Sequence, residues 1–266
     1  MNAKELLNTI QTSTGKEYLD AISLSRKPQF RSITDSVSGF WPEPKKYFSA
    51  FLESYQTFKV NKIKPLQICE ENLEKLLLPF ASKDSFRPQM QGFFVDDTKI
   101  VATDAHKLAI LPNFTHLADG IYQFNKIVKE PTTSNYIPYS DSRYPDYNSV
   151  IPNNPNQKLV NISGLRQILC AAKKYKLYQH TENVANKVIF KIDSEFFAVN
   201  GNFLLDVLTL FEQLNQKTVI AKFSEPNRAI IFQSGRVKVL LMTVPLEESE
   251  ETELLLDFSN FFQEFE

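Results

Sequence analysis

Between Arg87 and Leu111 the chain reads RPQMQGFFVDDTKIVATDAHKLAIL, and no other stretch limits the possible fold so tightly. Residues 89–95 are rich in β-formers, among them Phe93, Phe94 and Val95. Asp96, Asp97 and Thr98 then supply turn chemistry. Lys99–Thr103 resumes an extended apolar run, and Lys107–Ile110 adds another, so the stretch predicts strands joined by a hairpin. Just upstream, Glu70–Phe80 has helical spacing, with Leu73, Leu76 and Leu77 on one side and Pro79 to end or kink it.

With 266 residues there is material for one large domain or two ordinary ones. An apolar fraction of 42% and a charged fraction of 23% are those of a globular protein rather than a disordered one. The longest apolar run, Leu76–Ala81, is far short of a membrane span, and the first residues lack the apolar stretch of a signal peptide. Cys69 and Cys170 lie far apart and form neither a disulfide framework nor a metal knot, so a cytoplasmic location is expected. The net charge of −1 hides an asymmetry: eight acids and no base follow from Glu247 on, which leaves the preceding body basic. That pattern fits a solvated acidic tail, or a body facing a polyanion with a tail that competes for the same surface.

The first 58 residues read as helical. Leu6, Leu7 and Ile10 share a face, as do Tyr18, Leu19 and Ile22, and Tyr47, Phe48, Phe51, Leu52 and Tyr55 form a third amphipathic run after Pro42 and Pro44. Arg26–Gly39, rich in Ser and Thr, reads as loop. Ser13, Thr14, Gly15 and Lys16 superficially suggest a phosphate loop, but the upstream Gly is absent and Glu17 replaces the hydroxyl that would hold magnesium. Ile63–Ile68 looks extended, and so does Ile121–Val128. Ser163 is placed to cap a helix running to about Tyr178, with Leu165, Ile168, Leu169 and Ala172 on its apolar side. Strands are expected at 187–192 and 195–199. A helix follows at 201–214, then strands at 218–223, 228–233 and 236–244, the last two joined by a turn at Ser234 and Gly235.

Little here promises catalysis. Asp104 and His106 stand at i and i+2, so on a strand they would face the same way, and Asp96 and Asp97 are near in sequence. A zinc or iron site would want further His or Cys ligands, and His116 and His180 lie at no ligand spacing. Seven scattered glycines build no Gly-rich loop, and no nucleophile comes with a visible His partner. The reading is a non-enzyme with no metal and no cofactor.

Four motifs, in order, carry a resemblance. Val101, Ala102, Thr103, Asp104, Ala105, His106, Lys107, Leu108 and Ala109 resemble the V-A-T-D-G-H-R-L-A of the bacterial DNA polymerase III beta subunit, or sliding-clamp, family, with Ala105 for Gly and Lys107 for Arg. YPDYNSVIP, from Tyr144, resembles that family's F-P-D-Y-R-R-V-L-P linker, with Asn148 and Ser149 for the arginines. GNFLLDVL, from Gly201, resembles its N-x-x-Y-L-x-D-V-L helix, and MTVPL, residues 242–246, its near-terminal V-M-P-M-R-L. The resemblance implies an α+β, DNA-clamp-like fold with this organisation: a helical segment at 1–58, a shortened clamp domain at 59–143, a complete one at 144–246, and a tail at 247–266. A second half-repeat needs roughly 40 residues at ordinary element lengths, and the span from Leu111 to Arg143 falls short of that. The helix near 45–57 is expected to fill the layer that the shortened domain lacks.

The same resemblance implies a function. The family's motifs converge on an apolar cleft for short peptides of polymerases and other DNA-handling partners. Here the corresponding residues are Thr103, His106, Lys107, Leu108, Pro145, Val150, Val244, Pro245 and Leu246. DNA would face Arg166, Lys173 and Lys174 through non-specific phosphate contacts. The expected roles are a processivity or recruitment platform in DNA replication or repair, as a homo-oligomer closing a ring, or a peptide-binding adaptor that does not encircle DNA. In the tail, Leu254–Leu256, Phe261 and Phe262 loosely resemble clamp-binding peptides, so either the tail occupies the cleft or it is a packed or solvated end.

Overall fold

The structure, a computed structural model, describes residues 3–25, 44–132, 134–153, 156–175, 186–192, 195–246, 256–257 and 262–263. Three helices come first: α1 (Ala3–Thr12), α2 (Gly15–Ser25) and α3 (Pro44–Ser54), the last followed by a 3-10 turn at Tyr55–Thr57. The expected helix at 70–80 is a short α4 (Leu73–Leu77) between two 3-10 turns, with Leu73, Leu76, Leu77 and Phe80 fully buried. Strands β1 (Gly92–Asp96), β2 (Lys99–Thr103), β3 (Lys107–Pro112) and β4 (Gly120–Phe124) follow, then the four-residue α5 (Asn125–Val128) and β5 (Tyr136–Tyr139). The second half runs β6 (Asn156–Asn161), α6 (Ile162–Lys174), β7 (Lys187–Ile192), β8 (Glu195–Asn200), α7 (Gly201–Gln213), β9 (Thr218–Phe223), β10 (Ile230–Ser234) and β11 (Val237–Leu241). Two short strands end it, β12 (Leu256–Asp257) and β13 (Phe262–Gln263).

The strands form a ten-stranded sheet in the order β13-β6-β9-β10-β11-β3-β2-β1-β4-β5, and a three-stranded sheet in the order β12-β7-β8. The seam between the two halves of the chain is the antiparallel pair β11·β3, which sets Leu240 opposite Leu108 and Leu241 opposite Lys107. Period-2 alternation then sorts the side chains. Ile100, Ala102, Ala109, Leu111, Val239 and Leu241 enter the main core beneath the helices. Val101, Leu108, Ile110, Ile231 and Leu240 face the other way, under a small second core closed by Tyr144 and Tyr147. At Gly92 the backbones of β1 and β4 come so close that a Cβ would lie 1.8 Å from the Tyr122 carbonyl oxygen, which leaves room for glycine alone.

Several expectations need correction. Residues 63–68 join no strand; the Leu66 N–H donates instead to the Gln213 carbonyl at 2.7 Å. Residues 121–128 split into β4 and the short α5. Asn161, not Ser163, caps α6: its Oδ1 accepts from the Gly164 N–H at 2.9 Å. The N-terminal helices do not complete the layer over β1–β5. The turn that follows α3 lies on α6, where the Gln167 amide donates to the carbonyls of Tyr55, Gln56 and Phe58. The Tyr175 ring meets Phe58 edge-on at 6.3 Å, and its hydroxyl donates to Asp20.

Candidate functional site

The turn between β2 and β3 organises the site. The Thr103 hydroxyl donates to the Lys107 carbonyl at 2.9 Å and accepts from the Ala105 N–H at 3.1 Å. Asp104 Oδ1 accepts from the N–H groups of His106 and Lys107, both at 2.9 Å. Ala105 sits at φ 75°, in the left-handed region. Thr103 and Asp104 thus spend their polar atoms on holding the turn. Asp104 and His106 are not two neighbours on one strand face, and among the described residues no group of three or more His, Cys, Asp or Glu side chains is arranged to hold a metal.

The linker packs across the outer face of the sheet. Tyr144 stacks on Phe94 at 5.1 Å, and its buried hydroxyl donates to the Val101 carbonyl at 3.2 Å. The Tyr147 hydroxyl donates to Asp96 Oδ2 at 2.8 Å; burial, and after it this hydrogen bond, push the phenol up to about 12. Asp146 accepts from the Asn148 N–H and so starts the 3-10 turn Tyr147–Val150. That turn projects Val150, which is 53% exposed.

Between turn, linker and seam lies a cleft of about 470 Å³. Thr103, His106, Lys107, Leu108, Pro145 and Val150 line it, so the structure brings together the residues expected from the first two motifs. The near-terminal motif falls elsewhere. The Val244 N–H donates to the Ala198 carbonyl of β8 at 2.8 Å, and the Pro245 carbonyl accepts from the buried Lys187 ammonium at 2.9 Å. Val244, Pro245 and Leu246 therefore follow the smaller sheet and are not among the cleft-lining residues. Leu240 and Met242 line the cleft in their place, with Met90, Ile151 and Arg228. The signal for Leu240 was the alternation along β11. Met242 opens the stretch that carried the resemblance, and its N–H donates to the His106 carbonyl at 2.9 Å.

Lys107 gives the cleft only part of its side chain. Its ammonium, 4% exposed, turns through the seam to the Asp206 carboxylate, with Asp104 Oδ2 at 3.8 Å and the Phe203 ring centre at 4.6 Å. Burial pushes the Asp206 carboxyl above its ordinary value, against the pull of Lys107. On that side a more open groove of about 950 Å³ runs past Asp206, Phe203, Arg87 and Lys83. His106 borders both hollows and stacks on Phe203 at 5.6 Å.

The expected DNA-facing residues separate. Lys173 and Lys174 are exposed, Lys174 lying over the rings of Phe58 and Tyr175. Arg166, expected on the exposed side, is 12% exposed: it pairs with Glu212 at 3.0 Å and donates to the Asn61 carbonyl, because residues 55–61 cover that face of α6. The described tail segments pair with β7 and β6.

No known sequence family matches the chain, and no curated protein matches it significantly. Solved structures do. The DNA polymerase sliding clamp from Bacillus subtilis aligns with TM-score 0.52 and 15% identity, over 66% of this chain and 62% of the clamp. The DNA polymerase III beta chain from Streptococcus pneumoniae aligns with TM-score 0.53 and 18% identity, over 71% and 66%. A sliding clamp from Bartonella birtlesii, solved bound to griselimycin, aligns with TM-score 0.50 and 16% identity, over 66% and 64%. The chain thus spans 62–66% of the length of these clamps. No helix among the described residues is long and apolar enough to cross a membrane. Helices packed on largely antiparallel sheets, the larger of them running through the β11·β3 seam, have the α+β fold of the bacterial sliding clamps.

Proposed function

We propose that this chain is a non-catalytic recruitment platform that binds short linear peptides of DNA-handling proteins in the cleft between linker and seam. The observation that carries the reading is the meeting, in one hollow, of residues from two motifs far apart in sequence: Thr103–Leu108 and Pro145–Val150. Leu108, Val150, Leu240 and Met242 offer an apolar slot of about 470 Å³, a size that buries the anchors of a short peptide. Val150 and Met242 are large apolar side chains left 53% and 42% exposed, as expected of a surface that waits for a ligand. Arg228 and His106 at the rim favour a peptide with acidic residues beside its apolar anchors. In this reading residues 59–143 are a shortened clamp unit and 144–246 a complete one.

Peptide titration is the direct test of this reading. A fluorescent clamp-binding peptide should bind the chain, and Val150→Glu should weaken it by about tenfold or more, since it places a charge in an apolar slot. Equal affinity for both proteins means that the cleft is not the site.

A processivity clamp closing around DNA is the second reading, and the exposed Lys173 and Lys174 favour it. The covering of Arg166 by residues 55–61 weighs toward an adaptor that does not encircle DNA. Retention on nicked circular DNA that is lost on linearisation would decide for the ring.

A further inference from the structure

We infer that the outer edges of β6 and β7 are self-association surfaces, and that the chain's own tail holds them closed in cis. This goes beyond peptide binding and does not depend on it.

β6 pairs with β9 on one side, and β7 pairs with β8 on one side. Each would otherwise end its sheet with a row of unpaired backbone groups, six residues long in both strands. Such edges invite another strand. In this chain both are met by the tail. Leu256–Asp257 pairs in parallel with Phe190 and Lys191 of β7, and Phe262–Gln263 pairs antiparallel with Val160 and Leu159 of β6. The third edge nearby, β8, receives the Val244 N–H at the Ala198 carbonyl. Three successive pieces of one segment thus engage three edges of two sheets.

Composition adds a second argument. Each covered strand carries a buried lysine, Lys158 at 8% and Lys187 at 2% exposure. An edge lysine normally stands in solvent, where its charge keeps other strands away. With the lysines buried, protection passes to whatever covers the edge. The sequence between 247 and 253 holds five glutamates, opposite in charge to the lysines of β6 and β7. The pairing is short, two residues at each contact, so the tail is a weak cover that a second copy can displace. Its advantage is tethering, which gives it a high effective concentration at these edges.

The test compares three proteins: the full chain, a chain ending at Leu246, and the full chain with Leu256→Pro and Phe262→Pro. Proline cannot complete a strand ladder, so the double variant removes the pairing and keeps the length and charge. Light scattering over a range of concentrations and hydrogen exchange at residues 156–161 and 187–192 are read together. The full chain should keep one mass at all concentrations, with slow exchange at these amides. Both altered chains should exchange several-fold faster there and grow in mass with concentration, and high salt should move the full chain toward them. Circular dichroism identifies any chain that has not folded; the other altered chain then decides. The inference is overturned if the altered chains exchange as the full chain does, or exchange faster yet stay monomeric. It is equally overturned if the full chain associates by exchanging tails between copies. Peptide titration on the same proteins keeps a failure here separate from a failure of the cleft.

Discussion

Lys107 and Asp206 join the two halves of the chain: a buried ammonium from the first residue of β3 is held by a carboxylate on α7. The pairing explains why the sequence carries Asp between Leu204, Leu205, Val207 and Leu208 of α7. A lysine 4% exposed needs a counter-charge. Asp104 at 3.8 Å and the Phe203 ring assist, but they cannot replace it.

Asp206→Ala is therefore expected to destabilise the fold. Asp206 itself is 36% exposed, so the loss should be about 1–3 kcal/mol rather than that of a fully buried pair. Urea unfolding should show a lower midpoint with an unchanged slope. Lys107→Met on the same background should recover part of the loss, because it removes the stranded charge. No recovery would mean that the pair does not act as a unit.

Ala105→Gly should have the opposite sign. Ala105 holds φ 75° in the turn that positions His106. An L-residue there costs about 1–2 kcal/mol, while glycine costs more entropy on folding, so the net gain should be about 0.5–1 kcal/mol. Ala105→Val should lose stability. A melting series over Gly, Ala and Val checks the order.

How far the sequence could be read follows from the range of each interaction. The β1–β3 hairpins were legible because alternation and turn residues are local, and Leu73, Leu76 and Leu77 were legible by helical spacing. Asp104 was misread because i and i+2 share a face only on a strand, and its own carboxylate turns the chain there. Asn161 and Ser163 are equally good caps on paper; the backbone of β6 decides between them. Val244–Leu246 were placed in the cleft by motif, yet Val244 is drawn away by a β8 carbonyl that lies far off in sequence. The site of the first three helices was out of reach too, because nothing in their pattern names the surface of α6.

Tyr147 ties the linker to the sheet and supplies a pH prediction. Its phenol is raised from 10.0 to about 12 in the folded chain, first by burial and then by the bond to Asp96. Tyr144 beneath it is raised as well, mainly by burial. Between these values an unfolded chain releases protons that the folded chain keeps, so stability is fully present below about pH 10 and falls as pH rises toward 12. Tyr147→Phe should cost about 1 kcal/mol at neutral pH through the lost bond. Its deficit should shrink through that alkaline interval, because the variant has one fewer proton to hold. A constant deficit across the interval would show that the phenol does not stay protonated in the fold.

The last prediction concerns the cover over α6. The Gln167 side-chain nitrogen lies 3.2, 2.7 and 3.0 Å from the carbonyl oxygens of Tyr55, Gln56 and Phe58. Three carbonyls share one amide group, so the contact is selective for a donor. Gln167→Ala should cost about 1–2 kcal/mol, since it leaves carbonyls short of a partner. Gln167→Glu should cost more, because a carboxylate then faces three acceptors. The effect should be local. Hydrogen exchange should quicken in residues 44–58 and along α6, while the amides of β2, β3 and β11 stay protected and peptide affinity at the cleft stays the same. The lifted segment also uncovers Arg166, whose remaining partner is Glu212 at 3.0 Å. Gln167→Glu should then gain weak, salt-sensitive affinity for duplex DNA relative to the unaltered chain, despite its added negative charge. If exchange instead quickens over β1–β5, the N-terminal helices rest on the sheet after all and α6 is not their support.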